Sequence, residues 1–172
     1  MNYLKFLFRA TECNGWPKLK FLIDLDIIEH YNFSSDTAKI TIPINLLNGD
    51  HFLCVELYGK NKSNTIVDAG NIIKDQTVEL VDIYVDDILL PDFYKWMGIY
   101  KCNDNDETLY QSLLWGVNGT WKWDIKTPLI SWLLEKKIEL EEKHNLPAIT
   151  WSERSRLEQE KIQKFEEQLS KL

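Results

Sequence analysis

Apolar and polar positions alternate with a period of two through most of the chain, and the longest such run is residues 76–91. There Val81, Ile83 and Val85 fall on one face of a predicted strand, and Val78, Leu80, Asp82, Tyr84 and Asp86 on the other. Leu4, Phe6 and Phe8 alternate at the start of the chain. Residues 19–28 read as one strand with Leu19, Phe21, Ile23, Leu25 and Ile27 on its inner face. Residues 37–46 carry Ile40, Ile42, Ile44 and Leu46 in strict alternation, with Pro43 on the polar register as the mark of a sheet edge or a bulge. Asn48-Gly49-Asp50 is a hairpin signal, and it predicts that residues 51–59 return beside 37–46 with Leu53, Val55 and Leu57 inward. A second hairpin is predicted from residues 109–115 and 120–126 around Gly116-Val117-Asn118-Gly119. Residues 60–75 read as loop, and residues 93–102 as strand or packed loop.

At Thr127-Pro128 the period changes to 3.6, with Thr127 as N-cap and Pro128 as the first helical residue. Ile130, Leu133, Leu134 and Ile138 make one stripe. A second helix is predicted from the capping box Thr150-Trp151-Ser152-Glu153, with Ile162, Phe165, Leu169 and Leu172 at 3-4-3 spacing. That stripe spans under two heptads, too short for an isolated coil, so it needs a surface to cover. The expected architecture is a mainly β, antiparallel β-sandwich over residues 1–127 with a two-helix C-terminal extension over 128–172.

Composition narrows the function. A net charge of −7 argues against a surface for nucleic-acid phosphates or anionic lipid. Residues 135–172 carry nine acids and eight bases, so −6 of that charge lies on residues 1–134. Cys13, Cys54 and Cys102 are an odd set without paired spacing and read as reduced, apolar residues. Lys5 and Arg9 break the opening apolar stretch, so no signal peptide is expected. His30, His51 and His144 are scattered, and no metalloprotease, nucleophile-elbow or phosphate-loop spacing occurs, so neither an enzyme nor a cofactor is expected. Asp82, Asp86, Asp87 and Asp92 form an acidic patch read as a solvated strand face rather than a metal site. Trp121 and Trp123 share one face and read as core, while Tyr94, Trp96 and Trp115 lie nearer the predicted loops and are the candidate glycan ligands.

Two stretches carry a family likeness. Gly49, His51, Leu53, Val55 and Leu57 stand where a Gly-x-His-x-Leu-x-Val-x-Leu strand follows a tight turn, and Leu80-Val81-Asp82-Ile83-Tyr84-Val85-Asp86-Asp87-Ile88 is the counterpart of a later Leu-x-Val-Asp-x-Ile-x-Val-x-Gly strand. Over residues 18–126 the chain resembles the jelly-roll carbohydrate-binding modules of the galactose-binding-like kind, which also occur in virion proteins of tailed phages. The resemblance implies a non-enzymatic structural protein of a virion (tail, baseplate or decoration component), located in the particle. It would dock on other virion proteins or on copies of itself through Trp132, Trp151, Ile162, Phe165, Leu169 and Leu172. The alternative it implies is a carbohydrate-binding module for a host-surface glycan. Calcium-dependent members place clustered Asp in loops, whereas Asp82 and Asp86 here read as strand residues, so no metal site is carried over.

Overall fold

The computed structural model describes residues 2–105 and 107–143. The chain forms two compact units, Met1–Leu129 and Ile130–Leu172. The first holds thirteen described strands: β1 (Asn2–Thr11), β2 (Lys18–Ile23), β3 (Asp26–Asn32), β4 (Thr37–Ile44), β5 (Gly49–Tyr58), β6 (Thr65–Asp68), β7 (Asn71–Asp75), β8 (Thr77–Val85), β9 (Ile88–Leu89), β10 (Ile99–Cys102), β11 (Thr108–Tyr110), β12 (Leu114–Trp115) and β13 (Gly119–Thr127). A short helix, α1 (Asp92–Trp96), precedes β10. The longer α2 (Leu129–Lys143) follows a cis Thr127–Pro128 peptide.

The strands make an antiparallel β-sandwich. One sheet runs β12–β8–β1–β4 with β9 also on β8, the other runs β11–β10–β13–β5–β2–β3, and β6–β7 is a separate hairpin. The alternation read from β1, β4 and β13 holds: Leu4, Phe6, Phe8, Ile40, Ile42, Trp121, Trp123 and Ile125 are all buried. Rings from both sheets close the core. Phe6 and Phe8 of β1 lie 5.8 and 6.1 Å from Phe21 of β2, and Trp115 of β12 stacks on Tyr100 of β10 at 5.1 Å. Cys13, Cys54 and Cys102 are free and buried.

Five expected features are different in the structure. Residues 19–28 are not one strand. The chain reverses at Asp24 and Leu25, both at positive φ (50° and 76°), and Leu25 is 74% exposed. No Gly or Asn-Gly marks this two-residue turn, so its signal is absent from the sequence. The Asn48-Gly49 connection is not a hairpin either, because β4 pairs with β1 whereas β5 pairs with β13 and β2 in the opposite sheet. Residues 109–115 likewise do not pair with 120–126: β11 lies on β10 and β12 on β8, while β13 lies between β10 and β5. Residues 65–75 form a hairpin where loop was expected. Thr127, expected as an N-cap, is the last residue of β13, and its hydroxyl donates to the Leu47 carbonyl.

The central run changes face partway. Leu7 of β1 pairs with Asp82 and Phe8 with Leu80, which leaves Val81 as a β-bulge. The bulge shifts the alternation by one, so Val78, Leu80, Ile83 and Val85 are all buried on one side. A straight period-two reading had placed the first two opposite the last two.

At one end of the sandwich a buried ammonium ties the loops together. Lys60 Nζ donates to Asp75 Oδ1 (2.6 Å), to the Gln76 carbonyl (2.9 Å) and to the Gly116 carbonyl. All three ammonium protons are thereby used, which is what burial of such a group demands. The second unit contributes α2 to the described residues, and no described helix is long and apolar enough to cross a membrane.

Candidate functional site

The outer face of the six-stranded sheet is built by the polar register of its strands. On β13 that register is Thr120, Lys122, Asp124 and Lys126, opposite the buried Trp121, Trp123 and Ile125. On β5 it is Phe52, Cys54, Glu56 and Tyr58, opposite Leu53, Val55 and Leu57. Cross-strand pairing sets these side chains in rows. One row runs Cys54–Lys122–Ile99–Tyr110, the next His30–Lys20–Glu56–Thr120–Lys101–Thr108.

Aromatic rings and paired charges alternate across the face. Lys122 Nζ lies 2.8 Å from Asp124 Oδ1 and 4.9 Å from the Phe52 ring centroid. Lys20 Nζ lies 2.6 Å from Glu56 Oε2 and 5.4 Å from the Tyr58 centroid, and Tyr58 meets His30 edge-on. Fixed cations over ring faces hold both in place.

Accessibility separates the aromatics. Among the described Trp, Tyr and Phe residues, Trp96 (48%) and Tyr110 (74%) alone are exposed. Tyr110 sits on β11, the edge strand of this sheet, and Trp96 ends α1, three residues before β10 begins. Tyr110 is the Cα partner of Ile99, itself 40% exposed, and Ile99 follows Trp96 by three residues. Three residues span at most about 11 Å of chain and paired Cα atoms lie about 5 Å apart, so the Trp96 and Tyr110 Cα atoms are within about 16 Å of each other, while α1 itself is tied to β8 of the opposite sheet through Lys95. Ile99 also pairs with Lys122, which brings the Lys122–Asp124 pair alongside.

Of the residues the sequence singles out, Trp96 is therefore at the surface. Trp115 is fully buried and Tyr94 nearly so, which corrects their reading as ligands. Trp115 lies within the ring cluster formed with Phe8, Tyr100 and Trp121, because β12 joins the sheet opposite β13. Trp121 and Trp123 are core, as their alternation implied. Tyr110 and Phe52 were missed: a Tyr in a three-residue edge strand has no period to reveal it, although alternation across Phe52, Cys54 and Glu56 would have placed that ring outward.

The acidic patch is dismantled by its own contacts. Asp86 and Asp87 form the two-residue β8–β9 turn at positive φ (45° and 71°), not a strand face. Asp86 Oδ1 accepts the Tyr3 N–H at 2.8 Å, and Asp87 accepts from the Tyr3 hydroxyl at 2.7 Å and from the Lys5 ammonium. Lys5, and then Tyr3, hold the Asp87 carboxyl below the usual carboxylate range. Asp82 and Asp92 both face Lys95, at 3.7 and 2.8 Å. Among the described residues no group of His, Cys, Asp and Glu converges as metal ligands do. Trp132 lies on α2. Trp151, Ile162, Phe165, Leu169 and Leu172, the rest of the expected docking set, lie outside the described residues.

No protein-family model matches the sequence, and no curated protein is similar to it. Among solved structures, a chain described as vCBM60 in complex with galactobiose aligns at a TM-score of 0.47 and 12% identity, over 72% of this chain and 99% of its own. A selenomethionine form of vCBM60, described under a circular permutation linking two families of calcium-dependent carbohydrate binding modules, aligns at 0.49 and 12%, over 72% and 90%.

Proposed function

We propose that the chain is a non-catalytic carbohydrate-binding module and that the glycan lies on the outer face of the six-stranded sheet, against Trp96 and Tyr110. The observation that carries this reading is the exposure of both aromatics, Tyr110 on the edge strand in the row of Lys122, which pairs with Asp124, and Trp96 three residues before Ile99, the partner of Tyr110. A pyranose has one face of C–H groups and a rim of hydroxyls. Exposed rings cover the first, while a carboxylate that accepts and an ammonium that donates serve the second. Strands hold Tyr110, Lys122 and Asp124 and the helix α1 holds Trp96, so little ordering entropy opposes binding.

Isothermal titration calorimetry against a panel of oligosaccharides, galactobiose included, tests the reading. Trp96→Ala and Tyr110→Ala should each weaken binding by about 1–3 kcal/mol, the scale of losing a buried apolar side chain, while melting stays near wild type. A panel without binding, or binding that survives both substitutions, would remove this site.

A further inference from the structure

His51, the third residue of β5, has an acceptor against each ring nitrogen. Nδ1 lies 2.5 Å from Asp24 Oδ2, and Nε2 lies 2.8 Å from the Leu47 carbonyl oxygen. Neither partner carries a proton to give in its ordinary state. A neutral imidazole has one N–H and satisfies one of them, whereas the imidazolium has two and satisfies both. The ring is only 14% exposed, so water has little access to its nitrogens, while the Asp24 side chain is 39% exposed.

The same contacts join separate segments. Asp24 belongs to the turn between β2 and β3, where it and Leu25 hold positive φ. Its Oδ1 accepts the Phe52 N–H at 3.0 Å, and its own N–H donates to the Phe52 carbonyl at 3.0 Å. Leu47 lies in the crossover between β4 and β5, and its carbonyl also receives the Thr127 hydroxyl from the end of β13. One imidazole thus bridges a strained turn and the crossover that carries the chain from one sheet to the other. Charge around it is mostly negative: Asp24 and Asp26 from the turn and β3, Asp50 on its own strand, and Asp124 with Lys126 flanking Ile125, its partner on β13.

We propose that His51 is a pH-operated latch on the β4–β5 crossover, closed when the imidazole is charged and open toward Leu47 when it is neutral. The remaining proton of the neutral ring stays on Nδ1, facing the Asp24 carboxylate, and the Leu47 carbonyl loses the imidazole N–H and keeps the Thr127 hydroxyl. The hydrogen bond to Asp24, then that to Leu47, raises the His51 pKa against the lowering effect of burial. The His51 contact likewise lowers Asp24. A histidine raised in the folded state contributes its stability in full below about pH 6.5 and loses it as pH rises through the raised value. A depressed aspartate contributes above about pH 3.9 and loses it as pH falls through the depressed value. The latch is therefore fully closed between those limits.

The experiment is a long-range 1H–15N titration of the full chain, in which the imidazoles report separately. At pH 6 both His51 nitrogens should be protonated, with the apparent pKa above about 6.5. Raising the pH should then deprotonate Nε2 and lower amide protection factors at residues 45–49 at least several-fold. Asp24→Asn should bring the His51 pKa down, and His51→Gln should remove the pH dependence of that protection. Titration of His51 at or below about 6.5, or the same pH dependence of protection in His51→Gln, overturns the latch. The wild-type and Asp24→Asn titrations decide the matter even if His51→Gln folds poorly. None of these readouts involves a glycan.

Discussion

Gly98 shows how closely single atoms are placed in this fold. A Cβ added there would lie 2.1 Å from Trp121 Cε2 and 2.2 Å from its Nε1, so the glycine is the floor on which the indole rests. Trp121 is wholly buried and touches Trp115 and Trp123, at centroid distances of 6.3 and 5.9 Å, so it has nowhere to retreat. Gly98→Ala is expected to destabilise the protein by about 1–3 kcal/mol, the usual cost of forcing an extra methyl into a packed core. Its backbone is not at positive φ, so the loss would come from the ring contact and not from conformation. A thermal melt matching wild type would show that the ring moves aside. At Gly119 an added Cβ would lie 2.5 Å from the Lys101 carbonyl oxygen and 2.6 Å from Tyr100 Cε1. Both glycines look like ordinary turn residues in the sequence.

Among the elements, β8 and α1 depend on each other. The bulge at Val81 takes one residue out of the ladder, and the Lys95 ammonium, 7% exposed, donates to the Val81 carbonyl. Asp92, 2.8 Å away and one turn earlier on α1, and Asp82, at 3.7 Å, balance the charge. A lysine in a five-residue helix thus serves the backbone group that the bulge exposes, and the bulge in turn carries the apolar register of β8 across to the core. Lys95→Met should leave that carbonyl and Asp92 without their cation. A loss of about 1–3 kcal/mol is expected from the unsatisfied groups, read as a lower denaturant midpoint at an unchanged slope. A midpoint equal to wild type would mean that water fills the place of the ammonium. Neither Val81 nor Lys95 announces this partnership in the sequence, because a bulge is a mismatch between two strands and each strand alone looks regular.

For the whole molecule, all thirteen described strands end by Thr127, and the first compact unit ends at Leu129. A chain cut after Leu129 is expected to melt cooperatively with a β-rich circular dichroism spectrum, since both sheets and the aromatic core are complete within it. An unfolded product would assign residues 130–172 to the core. Light scattering on both chains adds a second reading: self-association by the full chain alone would place the contact in the C-terminal segment, where the sequence puts the stripe Ile162, Phe165, Leu169 and Leu172.

What the sequence determined by itself was the antiparallel sandwich class and the inward faces of β1, β4, β5 and β13. Alternation in β1, β4, β5 and β13 is a local consequence of one buried face, so it is written residue by residue along the chain. It also identified Trp121 and Trp123 as core and Trp96 as a surface aromatic. The tertiary structure alone decided which strands meet. β4 and β5, adjacent in sequence, enter opposite sheets, and β12 leaves β13 to join β8. That choice buried Trp115, brought Tyr110 beside Ile99, and set the Asp24 and Leu47 acceptors on either side of His51. Pairing between strands depends on residues distant in the chain, and an amphipathic strand satisfies its own pattern equally well in either sheet. The faces of unbroken strands were therefore legible from one segment at a time, whereas the bulge in β8, the turn at Asp24-Leu25 and the site, which need several segments at once, were not.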